Sequence, residues 1–208
     1  MPSLRSLPSA FYARPAHVVA RHLLGRYLVR DLPEGRIVAR LVEVEAYLGP
    51  RDRASHAFAG RRTPRNESMY LAGGHAYVYR IYGIHCCMNV VTGRAGVGIA
   101  VLLRAAEIVA GEELVRDRRR AAAAEVATSR LLSGPGNLCR GLAVDRDLDG
   151  HRFAGGALRL AAGETVATRA VARGPRVGVE SAGEAASWPL RFAVRDSAAV
   201  SRPRASLG

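Results

Sequence analysis

Two carboxylates, a tyrosine and a histidine fall within fourteen positions, in a segment that reads VEVEAYLGP and continues to His56. Because side chains alternate along a strand, Glu43, Glu45 and Tyr47 would point to one face of a strand. Either glutamate could act as a general base if a proton of water or substrate lay within hydrogen-bond reach. The residue types leave open which of the two it is. A solvated strand face with a loop histidine is the plainer alternative.

Three tyrosines crowd a second segment, HAYVYRIYGIHCCMN. The alternation predicts Tyr77 and Tyr79 on one strand face and Tyr82 on the other, beside a turn at Gly83. Aromatic residues in strands usually belong to the core or to cross-strand pairs. An aromatic residue at a hairpin tip buries poorly, however, and in a basic protein it suggests stacking on bases or wedging between them.

Histidines and cysteines recur in the same region, at His75, His85, Cys86 and Cys87, with Cys139 further on. No C-x-x-C pair occurs, and neighbouring strand residues point to opposite faces, so we predict no metal site. The zinc-deaminase pattern, the phosphate-binding loop, the nucleophile elbow and the dinucleotide fingerprint are also missing from the sequence. Nucleotide-hydrolysing and triad-hydrolase functions therefore have no support.

The charge balance points to a polyanionic partner. The 208 residues carry 31 basic and 18 acidic side chains, a net charge of +13, and every basic residue is arginine because no lysine occurs. A chain this basic usually meets a nucleic acid or an anionic surface. No apolar run of about 18 residues predicts a membrane-spanning helix. Three cysteines without a readable disulfide framework fit a reducing, intracellular setting.

The elements that position these residues can be read from periodicity and turn residues. Pro15 can begin a short helix and Gly25 can end it. In the strand that carries the two glutamates, Val42, Val44 and Ala46 are expected to face the core. The other expected strands are 27–32, 76–82, a return through 87–91, 98–104, 157–162, 166–171 and 175–180, with the glutamate strand at 36–48. Helices are expected at 107–125 and after the GPG at 134–136, and a long irregular loop at 49–74.

Several longer motifs together resemble one known family, the alkyladenine or 3-methyladenine DNA glycosylases of the mammalian methylpurine type. The matching segments are VEVEAYLGPRDRASHA (42–57), GRRTPRN (60–66), AYVYRIYGIHCCMNVV (76–91), AVLLRAAE (100–107), GPGNLC (134–139), PRVGV (175–179) and PLRF (189–192). They follow in order along nearly the whole chain, which makes coincidence far less plausible than for one short motif.

The resemblance implies a mixed α/β (α+β) fold, a compact domain around a curved, largely antiparallel β-sheet with flanking helices. We expect residues 1–208 to form one glycosylase domain, whose ends, 1–10 and 200–208, are the candidates for disorder. The implied activity is base-excision repair: a damaged purine is flipped out of the duplex and its N-glycosidic bond is hydrolysed. The implied substrates are 3-methyladenine, 7-methylguanine, ethenoadenine and hypoxanthine.

The resemblance also implies roles for individual residues. Glu45 would activate the water, with Arg104 and the backbone around Val177 helping to hold it. Three aromatic rings would stack around the flipped base, those of Tyr47, His56 and Tyr79. Asn89 would discriminate against the exocyclic amino group of normal guanine.

On the DNA side, the resemblance implies that Tyr82 fills the gap left in the duplex. Ile84, at the same hairpin tip, departs from the family pattern and is assigned to the DNA contact together with Tyr82. Arg61 and Arg65 would meet phosphates. No cofactor, metal or membrane is implied, and the partner would be double-stranded DNA containing damaged purines, bound by a monomer in the bacterial cytoplasm at the nucleoid or in a eukaryotic nucleus.

Two other classes of function remain as alternatives. A non-catalytic basic nucleic-acid-binding module would use the same arginines and tyrosines, but Glu45 could then be neutralised without consequence. A membrane-surface protein would need a helix with arginines opposite a strongly apolar face. The expected helix at 107–125, with four alanines at 121–124, fits that pattern only in part.

Overall fold

The computed structural model describes residues 4–120, 125–203 and 207–208. Within these described residues, eight strands form one antiparallel sheet. They are β1 (Tyr27–Leu32), β2 (Gly35–Tyr47), β3 (Ala76–Ile81), β4 (His85–Thr92), β5 (Ile99–Ala110), β6 (Leu158–Ala161), β7 (Val171–Gly174) and β8 (Arg191–Val194). The mixed α/β fold around a curved antiparallel sheet is confirmed.

The long strand β2 lies at the centre of the sheet. The order is β3-β4-β5-β2-β1-β6, and β8 pairs with the second half of β2 and with β7. Glu43 and Glu45 therefore have strands on both sides, β5 on one and β8 on the other. Both carboxylates are fully buried inside the protein.

Helices cover one face of the sheet. The helical segments are α1 (Ser9–Tyr12), α2 (Ala16–Leu23), α3 (Glu112–Arg119), α4 (Thr128–Leu131) and α5 (Pro135–Gly141). Leu23 of α2 and Leu138 of α5 belong to the main core with Leu41, Val44 and Leu103 of the sheet. The predicted helix after Pro15 is confirmed, and Gly25 follows it at φ +81, where a Cβ atom would collide with the carbonyl oxygen of Glu164.

The predicted loop covers the opposite face. It contains only short 3-10 turns, Gly49–Arg51, Phe58–Gly60 and Glu67–Tyr70. Ala57, Met69 and Tyr70 of this loop form a second cluster with Tyr77 and Val91 of the sheet. The loop is therefore packed against the sheet, and it forms one wall of the cavity described below.

A break in the pairing of β2 changes one predicted orientation. The register between β2 and β5 shifts on either side of Glu43, as at a β-bulge. Val44 and Ala46 face the main core as predicted, but Val42 packs in a separate cluster with Ala105 and Val200. The prediction that Val42 shares their face was wrong because a bulge adds a residue and interrupts the alternation.

The helix predicted at 107–125 was wrong at both ends, because α3 covers only Glu112–Arg119. Strand β5 continues to Ala110, because residues up to that point still pair with the first half of β2, and Gly111 at φ +80 separates it from α3. The four alanines at 121–124 lie outside the described residues. No helix of the described chain is both long and apolar enough to cross a bilayer.

Two late strands were also misplaced. Residues 166–171 contain a 3-10 turn, Thr168–Ala170, and the strand β7 begins only at Val171. Residues 175–180 form no strand, because backbone and side-chain groups there bond to buried side chains of β2 and the loop instead of to a neighbouring strand. Strand β8, in the PLRF segment, was not predicted.

Some residues of the two chain ends are held by hydrogen bonds. The backbone amide of Leu7 donates to the carbonyl of Leu160, and Ser6 forms a bridge with Ala161. At the other end, Ser201 is buried against Glu43. Residues 1–3 and 204–206 of these ends lie outside the described residues.

Candidate active site

A cavity of about 230 Å³ opens between the sheet, the loop and the segment that follows β7. Its walls come from β2 through β5, the loop, α5 and residues 177–179. Most of the predicted site residues line it, namely Tyr47, His56, Arg65, Tyr79, Tyr82, Asn89, Arg104 and Val177. Residues separated by more than a hundred positions therefore meet in one polar, partly aromatic cavity.

Glu45 lies directly beneath this cavity, with no exposed surface of its own. Its Oε1 accepts a hydrogen bond of 2.8 Å from the backbone amide of Val177, and its Oε2 accepts one of 2.9 Å from the hydroxyl of Tyr47. Nη1 of Arg104 is 3.3 Å from Oε1. All three neighbours line the cavity, so the carboxylate is held just below its floor.

The two glutamates differ in their electrostatic surroundings. Burial raises the pKa of Glu45, and Arg104, the Val177 amide and the Tyr47 hydroxyl offset this only in part. Burial acts on Glu43 in the same direction, but Arg104, Arg191 and two hydrogen bonds from Ser201 outweigh it and lower the pKa of Glu43. Glu45 is thus the carboxylate whose proton affinity is increased, as general bases require.

Aromatic rings form one side of the cavity. The rings of His56 and Tyr79 lie edge to face at 4.6 Å, and Tyr77 lies 5.3 Å from Tyr79. Nδ1 of His56 is 2.6 Å from the Tyr77 hydroxyl. Partial burial, with Arg65 and Arg61 nearby, lowers the pKa of His56, which favours a neutral ring at pH 7. Burial raises the pKa of Tyr47 and Tyr79, so both keep their protons.

Asn89 contributes an amide to the sheet side of the cavity. It is buried, and its Nδ2 donates to the carbonyl oxygen of Tyr77 at 3.0 Å, which fixes the orientation of the side chain. That bond leaves the amide oxygen to accept from a group in the cavity. Cys87, two positions earlier, also lines the cavity, and burial raises the pKa of its thiol.

The β3–β4 hairpin presents two large side chains to solvent. Tyr82 is 84% exposed and Ile84 is 76% exposed. Tyr82 also adopts φ +52, a conformation that costs a non-glycine residue of order 1–3 kcal/mol and is common at functional sites. Tyr82 lines the cavity, whereas Ile84 does not.

The two arginines assigned to phosphates lie on the loop side. Arg65 lines the cavity and donates to the carbonyl of Arg80, with its guanidinium 5.7 Å from the centre of the Tyr79 ring. Arg61 does not line this cavity; it lies with Arg53 and Arg65 around an adjoining depression. Both side chains are exposed and available to an anionic partner.

A buried ion pair fixes the walls relative to one another. Nη2 of Arg176 donates to Oδ1 of Asp52 at 2.8 Å, and its Nη1 donates to the carbonyl of Ala46 at 3.0 Å. Asp52 also accepts from the backbone amides of Leu48 and Ala54. The guanidinium lies 4.7 Å from the centre of the Tyr47 ring. This pair therefore joins the end of β2, the loop and the segment that carries Val177.

Sequence reasoning assigned no role to Asp52, Arg176, Arg191 or Ser201. Arg176 and Arg191 lie in the motifs PRVGV and PLRF, and both are buried. The signal that could have found them is charge balance: two glutamates on a central strand require buried cations. Among the described residues, no group of three or more His, Cys, Asp or Glu side chains could hold a metal ion.

Comparison with known proteins is consistent with this geometry. Residues 10–198 match the model of the family described as methylpurine-DNA glycosylase. The human protein named DNA-3-methyladenine glycosylase is 44% identical over 206 residues, covering 95% of this chain and 68% of its own. A protein of Streptomyces avermitilis named "Putative 3-methyladenine DNA glycosylase" is 46% identical, covering 98% and 94%. One of Myxococcus xanthus with the same name is 46% identical, covering 94% and 93%.

Proposed function

The chain belongs to the methylpurine-DNA glycosylase family and is a DNA glycosylase of base-excision repair, and we propose that Glu45 activates the water with which it releases damaged purines. The proposed substrates are 3-methyladenine, 7-methylguanine, ethenoadenine and hypoxanthine in duplex DNA. The observation that carries the proposal is the buried carboxylate of Glu45 beneath an aromatic cavity, with Arg104 and the Val177 amide beside it.

The chemistry proceeds by water attack at the sugar. The oxygen of water bonds to C1′ of the deoxyribose while the bond from C1′ to the purine nitrogen breaks, and its electron pair leaves with the base. Glu45 takes a proton from the water, and its negative charge stabilises the oxocarbenium-like sugar as it forms. An N3- or N7-alkylated purine leaves as a neutral base, because the electron pair cancels its charge. A neutral lesion must instead be protonated as it leaves.

The cavity suits a flat and partly cationic ring. Tyr47 and Tyr79 present aromatic rings that attract a cationic base, an interaction of order 1 kcal/mol or more when water is excluded. The lowered pKa of His56 keeps that ring uncharged, so it does not repel the same base. Asn89 is the residue we assign to discrimination against the amino group of normal guanine.

Flipping requires a replacement for the extruded base. Removing a base from the stack costs a few kcal/mol, and an inserted side chain recovers part of that cost. We assign the insertion to Tyr82 with Ile84 beside it, and phosphate contacts to Arg61 and Arg65. In this proposal residues 1–208 act as one glycosylase domain and as a monomer, at the nucleoid of a bacterium or in a eukaryotic nucleus.

The experiment is a base-release assay on four duplexes. Each carries one central 7-methylguanine, ethenoadenine, hypoxanthine or undamaged guanine, and alkali converts abasic sites to strand breaks that a gel resolves. We expect release from the damaged duplexes and none from the undamaged one. Binding of damaged DNA without release from any duplex would contradict the proposal and favour a binding module.

A further inference from the structure

We propose that Glu43 is a positioning residue for the reaction: it fixes Arg104 against Glu45, and Ser201 of the C-terminal segment, residues 195–203 after β8, completes this arrangement. The proposal rests on the proposed function of Glu45. Unlike Arg104, the residues Glu43 and Ser201 do not line the cavity.

The first observation is the number of donors that converge on Glu43. Its Oε1 accepts from Nε of Arg104 at 2.8 Å, from Nε of Arg191 at 2.8 Å and from the hydroxyl of Ser201 at 2.9 Å. Its Oε2 accepts from the backbone amide of Ser201 at 2.6 Å. A carboxylate held by four donors stays ionised and cannot turn, so it is a fixed acceptor and is unsuited to take a proton from water.

The second observation is that Arg104 has a partner for each of its three nitrogens. Nε donates to Glu43, Nη2 donates to the Ser201 hydroxyl at 3.1 Å, and Nη1 faces Glu45 at 3.3 Å. A guanidinium is planar, so fixing two of its nitrogens also fixes the direction of the third. The contacts with Glu43 and Ser201 therefore determine how Arg104 meets Glu45 and the cavity.

The third observation is charge balance. Glu43, Glu45, Arg104 and Arg191 are all buried, and they sum to zero formal charge when both acids are ionised. Removing one member of such a set leaves an uncompensated charge in a region of low polarity. Arg104 lies between the two carboxylates and pairs with both. The negative charge of Glu43 therefore partly neutralises Arg104 and weakens its electrostatic stabilisation of ionised Glu45.

The C-terminal segment closes this network from outside the matched family region. That region ends at residue 198, three positions before Ser201. Arg191 donates from Nη2 to the carbonyl of Ser201 at 2.9 Å and from Nη1 to the carbonyl of Pro203 at 2.6 Å. The segment thus holds both Glu43 and the second arginine that Glu43 binds.

The first test compares Ser201→Ala with Ser201→Thr in single-turnover release of 7-methylguanine. The alanine variant loses the hydroxyl that joins Glu43 to Arg104, and we expect its rate to fall about ten-fold, the equivalent of one hydrogen bond to a charged group. The threonine variant keeps a hydroxyl at that position and should restore most of the rate. Affinity for the lesion duplex should be unchanged in both variants.

The second test is the pH dependence of Glu43→Gln. The groups that face Glu45 are Arg104 of β5, Tyr79 of β3, Cys87 of β4, the Val177 amide and, on its own strand, Glu43 and Tyr47. Removing the charge of Glu43 leaves the positive charge of Arg104 paired with Glu45 alone. Ionised Glu45 is then stabilised more strongly, so its pKa falls. The rate at neutral pH should fall, and its decline on the acid side should move to lower pH.

A carboxyl carbon-13 NMR titration of Glu45 in the free protein measures the same pKa without catalysis. The downward shift in Glu43→Gln and the rescue by threonine support the proposal. It is overturned if Ser201→Ala and Glu43→Gln keep the wild-type rate and pKa, or if both Ser201 variants lose activity in step with their melting temperature. A wild type that releases no base contradicts the proposed function, and the titration still decides whether Glu43 controls the pKa of Glu45.

Discussion

At the scale of single residues, two glutamates with the same side chain differ in pKa because their neighbours differ. Residue types and spacing placed Glu43 and Glu45 on one strand and left open which of them is the general base, whereas the family resemblance implied Glu45. In the structure, Glu43 accepts hydrogen bonds from two arginines and Ser201, which lower its pKa. Glu45 lies beneath the cavity, and burial raises its pKa. Spacing could not reveal this difference, because the donors come from β5, β8 and the C-terminal segment, far away in sequence.

The raised pKa of Glu45 predicts an unusual acid limit for the reaction. The carboxylate of Glu45 must be ionised to take a proton from water, so the rate should rise as pH rises through the pKa of Glu45. That pKa lies above the ordinary value of about 4.3 for a glutamate. The measurement is single-turnover release of 7-methylguanine across the mildly acidic range, because this lesion needs no protonation to leave. A rate that stays flat down to the ordinary glutamate pKa would contradict the assignment.

The absence of lysine predicts that the enzyme leaves an intact abasic site. Glycosylases that also cut the backbone attack the sugar with an amine and form a Schiff base. This chain has no lysine, and arginine stays protonated because its pKa lies above about 12. Borohydride added during turnover should trap no protein–DNA adduct, and strand breaks should appear only after alkali or heat. Efficient trapping would implicate the N-terminal amine and refute a water-only mechanism.

At the scale of elements, alternation predicted the strands that form the site better than the elements around it. Strands β1 to β4 agree with their predicted ranges to within two residues at each end, although the bulge at Glu43 interrupts the alternation of β2. Strand β5 was predicted too short, since the alanines and Glu107 near its end suit a helix as well as a strand. Only the pairing of Ala106 with Leu41, of Glu107 with Arg40 and of Ala110 with Val38 makes this stretch a strand.

The strand prediction at 175–180 was wrong for a different reason. The valines of this segment suggested a strand, but Arg176 is committed to Asp52 and the Val177 amide to Glu45. Those bonds are long-range and leave no local signal in the sequence. The motif resemblance nevertheless identified Val177 as part of the site, although the local element was predicted wrongly.

The β3–β4 hairpin is the element whose contribution to DNA binding is most easily isolated. Tyr82 is almost fully exposed in this protein, so its removal should not disturb the core. We expect Tyr82→Ala to weaken binding of a lesion duplex by about 1–3 kcal/mol, the usual cost of losing a base-stacking aromatic. Binding can be measured by fluorescence anisotropy. Val109→Ala, which also truncates an exposed apolar residue, is the control and should bind as wild type; equal affinity in Tyr82→Ala would exclude insertion.

At the scale of the whole molecule, net charge sets how the protein meets DNA. The +13 formal charge is carried entirely by arginines, and those near the cavity mouth, Arg61 and Arg65, are exposed. Fixed positive charges displace counterions from phosphates, which makes binding depend on salt and not on sequence. We therefore expect the enzyme to bind undamaged DNA first and to recognise the lesion afterwards.

Affinity for undamaged duplex should accordingly fall steeply with salt. The logarithm of the association constant should decrease against the logarithm of salt concentration with a slope of roughly −0.9 for each phosphate neutralised. Arg61→Gln and Arg65→Gln should each reduce the magnitude of that slope by about 1 if each contacts one phosphate. Binding that is indifferent to salt would contradict the electrostatic role of this surface.

The central claim is that Glu45 activates the water that releases the damaged base, and Glu45→Gln tests it most directly. Glutamine keeps the shape but cannot take a proton. We predict undiminished binding of a 7-methylguanine duplex with single-turnover release reduced at least about 100-fold, while Glu164→Gln, an exposed control, releases the base as wild type. Wild-type release by Glu45→Gln would contradict the account, and inactivity of Glu43→Gln alone would identify Glu43 as the base instead.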